Sequence, residues 1–273
     1  GLLDGGKASD FAKNVKGIYD RGQPLVQLGM VVGTGFSTSF IPMMSQAHAQ
    51  NRQNEFTRSA MSLLRMTSVF SAAAVTGLLA ILPNVNNMLF GDREGIAVLS
   101  VYILAIFAAS IMTAYHSILQ SLGQYKISLV ALAAGLTVKF FGNLLLVEPL
   151  GTMGASIALI AGLAAMVLVL WMNSERALRD VWFTDHFVRK LLAGCVVLFV
   201  TVWALRVGLE RYLFTDGGRL TDSVIAVVTV CAGVGVFLWY ILKVRLLTLR
   251  EWVSIPFGKK LLRKLPDKTS DLK

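Results

Sequence analysis

Long apolar segments, separated by short polar stretches, follow one another along most of the chain. Each is about 20 residues long, the length that a helix needs to cross the roughly 30 Å hydrocarbon core of a bilayer. The apolar residues do not alternate strictly with polar ones, as they would in the strands of a membrane barrel. The pattern therefore predicts an all-α, polytopic transmembrane helix bundle with about seven spans, at residues 23–44, 59–82, 96–119, 127–147, 152–172, 190–209 and 221–243.

Prolines mark several of the predicted span ends. Pro24 stands at the start of the first span, where its missing N–H costs nothing. Pro83 is predicted to end the second span, and residues 148–151 to form the tight turn between the fourth and the fifth. The spans divide the chain into an extracytoplasmic loop with a truncated start (1–22), five helices (23–172), a cytoplasmic linker (173–189), two additional transmembrane helices (190–243) and a basic amphipathic cytoplasmic tail (244–273).

Composition supports a membrane protein. Hydrophobic residues make up 55% of the chain and charged residues only 15%, against roughly 45–50% and 25% in soluble domains. The net charge is +10, and nine of the Lys and Arg residues lie between Lys243 and Lys273. A basic segment beside a membrane helix indicates contact with anionic headgroups on the cytoplasmic side. We therefore predict membrane lipids as partners and no nucleic acid, because no basic groove studded with aromatic residues is present.

The basic tail also decides the predicted orientation. With that tail in the cytoplasm, the inside loops between spans hold seven Lys and Arg residues and the outside loops four. Residues 1–22 add four more on the outside and remove the margin. The predicted location is the bacterial cell membrane, with multiple passes and a cytoplasmic C-terminus.

Lys139 is the clearest ionisable residue inside a predicted span. It lies 12 residues into the fourth span, or about 18 Å deep at 1.5 Å per residue. Gly135, Gly142 and Asn143 share its helical face. A lysine with small and polar neighbours either lines a wet cavity or bonds to a neighbouring helix, and the sequence leaves both interpretations open.

Polar stripes run along two other spans. The first span carries Gln23, Gln27, Thr34 and Thr38 close to one face, and the third carries Ser110, Thr113, Ser117 and Gln120. Each stripe alone is typical of helix–helix hydrogen bonding, whereas together they favour a shared polar cavity. Gly29 and Gly33 form a small-residue pair that predicts close helix packing.

Catalytic, metal and disulfide chemistry have no candidates in the sequence. Cys195 and Cys231 lie in apolar runs and are interpreted as small buried hydrophobic residues. No nucleophile motif or paired-carboxylate pattern occurs, and the interiors of the predicted spans lack acidic residues. We predict a protein that is not an enzyme and that needs no cofactor or metal.

Several local strings, taken together, resemble a known transporter superfamily. They are Tyr19-Asp20-Arg21-Gly22-Gln23-Pro24-Leu25, Pro42-Met43-Met44-Ser45-Gln46-Ala47, Lys139-Phe140-Phe141-Gly142-Asn143 leading into Gly151-Thr152-Met153-Gly154-Ala155-Ser156, and Ile255-Pro256-Phe257-Gly258-Lys259-Lys260. These strings resemble the polysaccharide-biosynthesis branch of the multidrug/oligosaccharidyl-lipid/polysaccharide exporters, and most closely the lipid II flippases. One departure is that Glu148 stands where the family commonly has its turn proline, which here follows as Pro149.

The resemblance implies a fold and a function. Family members have about fourteen helices in two lobes around a central cavity. The seven spans match the eighth to fourteenth helices, so that residues 23–172 correspond to the C-terminal lobe and an N-terminal lobe of the same protein is missing. The implied function is flipping of an undecaprenyl-pyrophosphate-linked saccharide, such as the peptidoglycan precursor lipid II, by alternating access. The implied substrate-binding residues are Arg21, Gln23, Gln27, Lys139 and Asn143.

Two other functions remain open at this stage. A drug/cation antiporter of the same fold would need acidic residues within its spans. A non-transporting scaffold for cell-envelope synthesis would tolerate changes in the polar stripes and depend on its loops and tail.

Overall fold

The structure is a computed structural model and describes residues 17, 19–182, 186–212, 219–244 and 246–247. Regular secondary structure in these ranges is helical throughout. The basic amphipathic tail and most of the predicted 1–22 loop lie outside the described residues.

Seven helical stretches are long and apolar enough to cross a membrane, which confirms the predicted all-α bundle with seven spans. The third stretch is divided by a turn at Leu104, and a short helix and a 3-10 turn (Asp180–Trp182) lie between the fifth and sixth. The helices are α1 (Gly22–Ala49), α2 (Gln53–Phe90), α3 (Ile96–Ile103), α4 (Ala105–Ser121), α5 (Tyr125–Leu150), α6 (Thr152–Met172), α7 (Arg176–Arg179), α8 (Phe187–Tyr212) and α9 (Arg219–Val244).

The prediction that prolines end two of these helices is wrong. Pro83 lies inside α2 and Pro149 inside α5. A proline removes one hydrogen bond from a helix, and neighbouring groups in a bundle can compensate for that loss. Near Pro83, Arg206 Nη1 donates to the carbonyl oxygen of Ala80 at 3.1 Å. The helices end instead at glycines with positive φ, Gly91 (79°) after α2 and Gly151 (57°) after α5.

Helix α2 is the centre of the bundle. It packs against α1, α4, α8 and α9. Half of its most apolar stretch is buried, whereas the corresponding share of α5 is 11%. Phe56, Leu63, Leu64 and Met66 are fully buried on it. Because burial stabilises a bundle through dense packing, we infer that α2 organises the other helices.

Small residues set two close helix contacts. A Cβ atom on Gly29 of α1 would lie 2.5 Å from Ile106 Cδ1 of α4, and one on Gly33 would lie 3.3 Å from Ser110 Oγ. This confirms the predicted close packing at the glycine pair. Between α5 and α6, a Cβ on Gly135 would overlap Met166 and lie 2.7 Å from the carbonyl oxygen of Gly162.

The two cysteines are both free, as predicted, but the prediction that both are buried is wrong. Cys195 is half-buried and Cys231 is exposed. Cys231 lies on the outer face of α9 among exposed valines. In a membrane protein an apolar run does not distinguish the core from the lipid-facing side, since both are apolar.

Candidate functional site

Arg21 stands directly before α1 and is held at that position by two neighbours. Its Nη1 lies 2.6 Å from Asp92 Oδ1 in the loop between α2 and α3. Its Cζ lies 5.0 Å from the centroid of the Phe90 ring, within the distance of a cation–π interaction. The side chain of Arg21 is 18% exposed and that of Asp92 is 35% exposed. The guanidinium is therefore fixed, partly shielded from solvent, and paired with an anion.

The loop carboxyl group of Asp92 is kept ionised by these contacts. Its hydrogen bond with Arg21 and a second one from the backbone N–H of Glu94 hold the pKa of Asp92 below its ordinary value. Tyr19 lies two residues before Arg21 and packs edge-on against Tyr102, with 5.1 Å between ring centroids. Burial, followed by the effect of Tyr102, raises the pKa of Tyr19 to about 12. Tyr19 is therefore neutral at physiological pH.

Gln23 and Gln27 are exposed on the first two turns of α1. They stand one helical turn apart, so their amides share a face. The structure therefore places three of the predicted residues, Arg21, Gln23 and Gln27, at one end of the same helix. A charged donor fork followed by two amides is suited to bind oxygen atoms of an anion or of a sugar.

Lys139 and Asn143 lie on α5, where that helix packs on α6. A Cβ atom on Gly162 would lie 2.9 Å from Lys139 Cβ, so the stem of Lys139 lies directly on α6. Asn143 is half-buried, and its Oδ1 is buried without a hydrogen-bond partner in the described part of the chain. The contact of the lysine stem supports a packing role, while the unpaired amide oxygen of Asn143 leaves room for a ligand or a partner helix.

The two groups of predicted residues occupy different parts of the bundle. Helix α1 packs chiefly against α2 and α4, and α5 chiefly against α6. Helices α1 and α5 each contact α4, but they do not pack extensively against each other. The residues Arg21, Gln23 and Gln27 are therefore not brought together with Lys139 and Asn143.

The two predicted stripes differ in burial. Thr34 and Thr38 are exposed, and each hydroxyl donates to carbonyl oxygens of its own helix. Ser110 and Ser117 are buried, and Ser117 donates to the carbonyl oxygen of Thr113 at 3.0 Å. The Ser117 hydroxyl is satisfied within its own helix, whereas Ser110 Oγ is buried without a hydrogen-bond partner in the described ranges. Because Ser110 and Ser117 are both buried, the α4 stripe faces protein and does not line an open polar cavity.

A buried carboxylate that the sequence reasoning missed lies where α2, α8 and α9 meet. Asp222, in the first turn of α9, has a side chain that is 2% exposed. Asn84 Nδ2 donates to it at 2.7 Å and Arg93 Nη2 at 3.0 Å, and Asn87 Nδ2 donates as well. Asn84 Nδ2 also donates to Glu210, which pairs with Arg206 at 3.1 Å. We call Asn84, Asn87, Arg93, Arg206, Glu210 and Asp222 the carboxylate cluster.

The carboxylate cluster corrects the expectation that acidic residues are absent from the spans. Its two carboxylates face two guanidinium groups, so the charges balance and the polar hydrogens have acceptors. The cluster ties α8 and α9 to α2. One signal was available in the sequence: Asn84, Asn86 and Asn87 end an otherwise apolar run, and buried amides need partners.

Metal chemistry has no candidate among the described residues. No group of three or more His, Cys, Asp and Glu side chains there lies close enough to hold an ion.

Comparison with known proteins supports the membrane assignment. No protein-family model matches the chain. The chain is 35% identical, over 261 residues, to the uncharacterized membrane protein YabM of Bacillus subtilis (strain 168). That match covers 95% of the chain and 48% of YabM, so the chain spans about half the length of this curated relative. The seven apolar helices and this similarity together make the chain a multi-pass α-helical membrane protein.

Proposed function

We propose that this protein flips a lipid-linked saccharide pyrophosphate, such as lipid II, across the bacterial cell membrane by alternating access. The observation that carries the proposal is Arg21, held partly buried at the end of α1 that also carries the exposed amides of Gln23 and Gln27. The resemblance of the Asp20-Arg21-Gly22-Gln23-Pro24 string to the flippase branch supports the same substrate class.

The chemistry of these side chains suits a pyrophosphate. A guanidinium presents a planar fork of donors that matches phosphate oxygens, and it stays charged at any physiological pH. In the structure Asp92 Oδ1 accepts from one nitrogen of that fork, Arg21 Nη1, at 2.6 Å. A pyrophosphate carries more negative charge than one carboxylate, so it would displace Asp92, while the amides of Gln23 and Gln27 would bind sugar or phosphate oxygens.

The proposal also includes the rest of the transporter. Rocking of two lobes around a central site is the usual basis of alternating access, and this chain would supply one of them. The chain spans 48% of the length of YabM, which leaves room for a second lobe in a protein of that length. We propose that the C-terminus is cytoplasmic, that its basic residues contact anionic lipids, and that no enzymatic step or cofactor is involved. Lys139 and Asn143 would line the cavity or pack against the other lobe.

Replacing Arg21 with Ala tests the proposal in the full-length protein. Loss of charged hydrogen bonds worth about 1.5–3 kcal/mol lowers transport by about tenfold to a hundredfold. The measurement is growth of a bacterium depleted of its own lipid II flippase, with membrane levels of the variant checked by immunoblotting.

Arg52→Ala is the matched control, because Arg52 is exposed and pairs only with Glu55 of its own helix. Normal growth supported by Arg21→Ala at normal membrane levels would contradict the assignment. Equal loss in both variants would also contradict it, since the effect would then not be specific to the end of α1.

A cation-coupled antiporter is the second candidate, and Asp222 is the observation that favours it. An antiporter needs a buried carboxylate that exchanges its cation, and Asp222 is the most buried acid in the described residues. However, its oxygens already accept from Asn84, Asn87 and Arg93. Drug resistance that is lost with Asp222→Asn but kept with Arg21→Ala would favour the antiporter. If Asp222→Asn and Arg21→Ala both support growth as well as the wild type does, the scaffold is favoured.

A further inference from the structure

A deep apolar groove runs between α2, α4, α6 and α8, apart from the end of α1 at which Arg21 lies. It has a volume of about 660 Å³, within the roughly 300–1,000 Å³ of ligand pockets. Its walls are apolar side chains, and the aromatic ones are Phe107, Trp171, Trp182 and Phe187.

The few polar groups in this wall are already satisfied. The indole N–H of Trp182 donates to Ser68 Oγ at 3.0 Å, and Ser68 Oγ donates to the carbonyl oxygen of Leu64 at 2.7 Å. The groove therefore has little to offer water, and its natural occupant within a bilayer is a hydrocarbon chain.

Two arginines that form no ion pair with a described carboxylate lie near the groove residues Trp182 and Phe187. Arg65 of α2 stacks on Phe187, with 5.7 Å between Cζ and the ring centroid. Arg179 stands at the end of α7, three residues before the groove residue Trp182. The Nε atoms of both are buried and have no hydrogen-bond partner in the described ranges. None of the ion pairs found between described residues includes either arginine.

Two acids, Glu175 and Asp180, flank α7, and neither pairs with Arg65 or Arg179 in the ion pairs found between described residues. Glu175, at the start of the linker, accepts hydrogen bonds from Gln53 at 2.8 Å and Thr57 at 3.5 Å. Two further cations, Arg189 and Lys190, lie in the first turn of α8 beside the groove residues Val188 and Leu191. The four described cations at this end of the groove outnumber the two described acids, Glu175 and Asp180, so the net charge there is positive, and the groove itself is apolar.

We propose that this groove is a binding site for an anionic phospholipid, with one acyl chain between α4, α6 and α8 and the headgroup phosphate on Arg65 and Arg179. The site does not depend on the proposed transport function. An acyl chain packs against the apolar walls, and a phosphate accepts from the buried Nε–H groups of Arg65 and Arg179, which have no acceptor among the described residues. Bound there, the lipid would fasten the α8–α9 pair to the rest of the bundle.

The tryptophans of the groove provide a direct test. The protein has five tryptophans, and replacing Trp203, Trp239 and Trp252 with Phe leaves only Trp171 and Trp182, both in the groove. The 273-residue chain in phosphatidylcholine nanodiscs receives a small mole fraction of phosphatidylglycerol brominated on its acyl chains, or of equally brominated phosphatidylcholine. The expected result is stronger quenching of tryptophan fluorescence by the anionic lipid.

Charge variants assign the preference to the two arginines. Each interaction of a cation with an anionic lipid raises the affinity about fivefold. Arg65→Gln and Arg179→Gln therefore each weaken the apparent affinity for brominated phosphatidylglycerol, measured by quenching, about fivefold. Quenching by brominated phosphatidylcholine stays unchanged in both variants. Arg52→Gln, which alters an exposed arginine paired with Glu55, is the matched control and has no effect. Ala108→Phe, which fills the groove, lowers quenching by both lipids. Circular dichroism verifies that each variant is folded.

Three outcomes would overturn the proposal. Equal quenching by the two brominated lipids would show that the groove holds ordinary solvating lipid. A preference for phosphatidylglycerol that survives in the Arg65→Gln/Arg179→Gln double variant would place the anion site elsewhere. Reversal of quenching by millimolar glycerol 1-phosphate would show a site for a soluble phosphate instead of a lipid.

Discussion

At the scale of single residues, the Arg21–Asp92 pair links the start of α1 to the loop after α2. The pair is only partly shielded from water, so it contributes modestly to stability. Its greater significance is that a carboxylate occupies the donors that the proposed substrate would need.

Replacing Asp92 with Asn removes this pair and has an effect that depends on pH. At pH 7 the variant loses about 0.5–1 kcal/mol of unfolding free energy, the usual value of a partly exposed pair. Because the folded state lowers the pKa of Asp92, the pair stabilises the fold above the ordinary carboxyl pKa of about 3.9. That stabilisation is lost as the pH falls through the lowered pKa.

Unfolding in detergent between pH 7 and pH 2.5 measures the difference between wild type and Asp92→Asn. The expected difference is constant above about pH 5 and disappears in acid. Glu94→Gln, two residues along the same loop, is the control. A difference that grows in acid would contradict the sign of the pKa shift.

Asp222 has a larger role in stability than any exposed acid. Asp222→Ala removes the acceptor of the Asn87 amide and of the Arg93 guanidinium, and one of the two acceptors of Asn84. This loss lowers the free energy of unfolding by about 3 kcal/mol. Glu55→Ala, which removes an exposed pair, changes it by less than about 0.5 kcal/mol. Chemical unfolding measures the loss of unfolding free energy in each of the two variants. Equal losses would mean that the carboxylate cluster does not hold α8 and α9 to α2.

The sequence indicated Lys139 and Arg21 as functional residues but not their partners. Lys139 stands out because cations inside apolar runs are rare, and Arg21 because it belongs to the string that resembles the flippase branch. Asp92 and Asp222 did not stand out, since Asp92 lies in a predicted loop and Asp222 at a predicted span end, where acidic residues are common. Their partners are 71 and 138 residues away along the chain, and such distant pairings follow only from the tertiary packing.

At the scale of helices, length and apolar character predicted the number of spans correctly, while their ends were less predictable. Helix α2 continues to Phe90, past the predicted end at Pro83. In a soluble protein an interior proline costs about 3 kcal/mol, which is why Pro83 was expected to end the helix. The bundle instead brings Arg206 to the nearby carbonyl of Ala80.

The α5–α6 contact depends on glycines that have no room for a side chain. Gly135→Ala forces the two helices apart, because the added Cβ meets Met166 and the backbone of Gly162. Overpacking of this kind costs about 1–3 kcal/mol. Gly77→Ala on α2 is the matched control: a Cβ there meets no atom within 4 Å, so we expect a gain of about 0.5–1 kcal/mol. Unfolding midpoints in detergent measure both, and a stabilising Gly135→Ala would contradict the contact.

At the scale of the whole molecule, the seven spans predict that residues 17–22 and 246–247 lie on opposite sides of the membrane. Single cysteines introduced at the exposed residues Asp20 and Lys243, in a cysteine-free variant, are labelled with a membrane-impermeant maleimide in intact cells. The expected result is labelling at one position only. After permeabilisation both positions react, which serves as the control, and labelling of both in intact cells would contradict an odd number of spans.

Charge counting along the sequence could not settle this orientation. The loops between spans differ by only three Lys and Arg residues, and residues 1–22 cancel that margin. The basic tail decides the prediction through its charge alone, so the labelling experiment also tests the side on which the tail lies.

The 38 residues of α2 give it a length of about 57 Å, nearly twice the roughly 30 Å thickness of the hydrocarbon layer. With Ser71 at the bilayer midplane, Asn84 and Asn87 stand roughly 20 Å away from it, among the lipid headgroups. The thickness of the membrane then affects the stability of this protein. In lipids with longer chains the carboxylate cluster lies closer to the hydrocarbon, where charged groups are costly. In thinner membranes it stays hydrated.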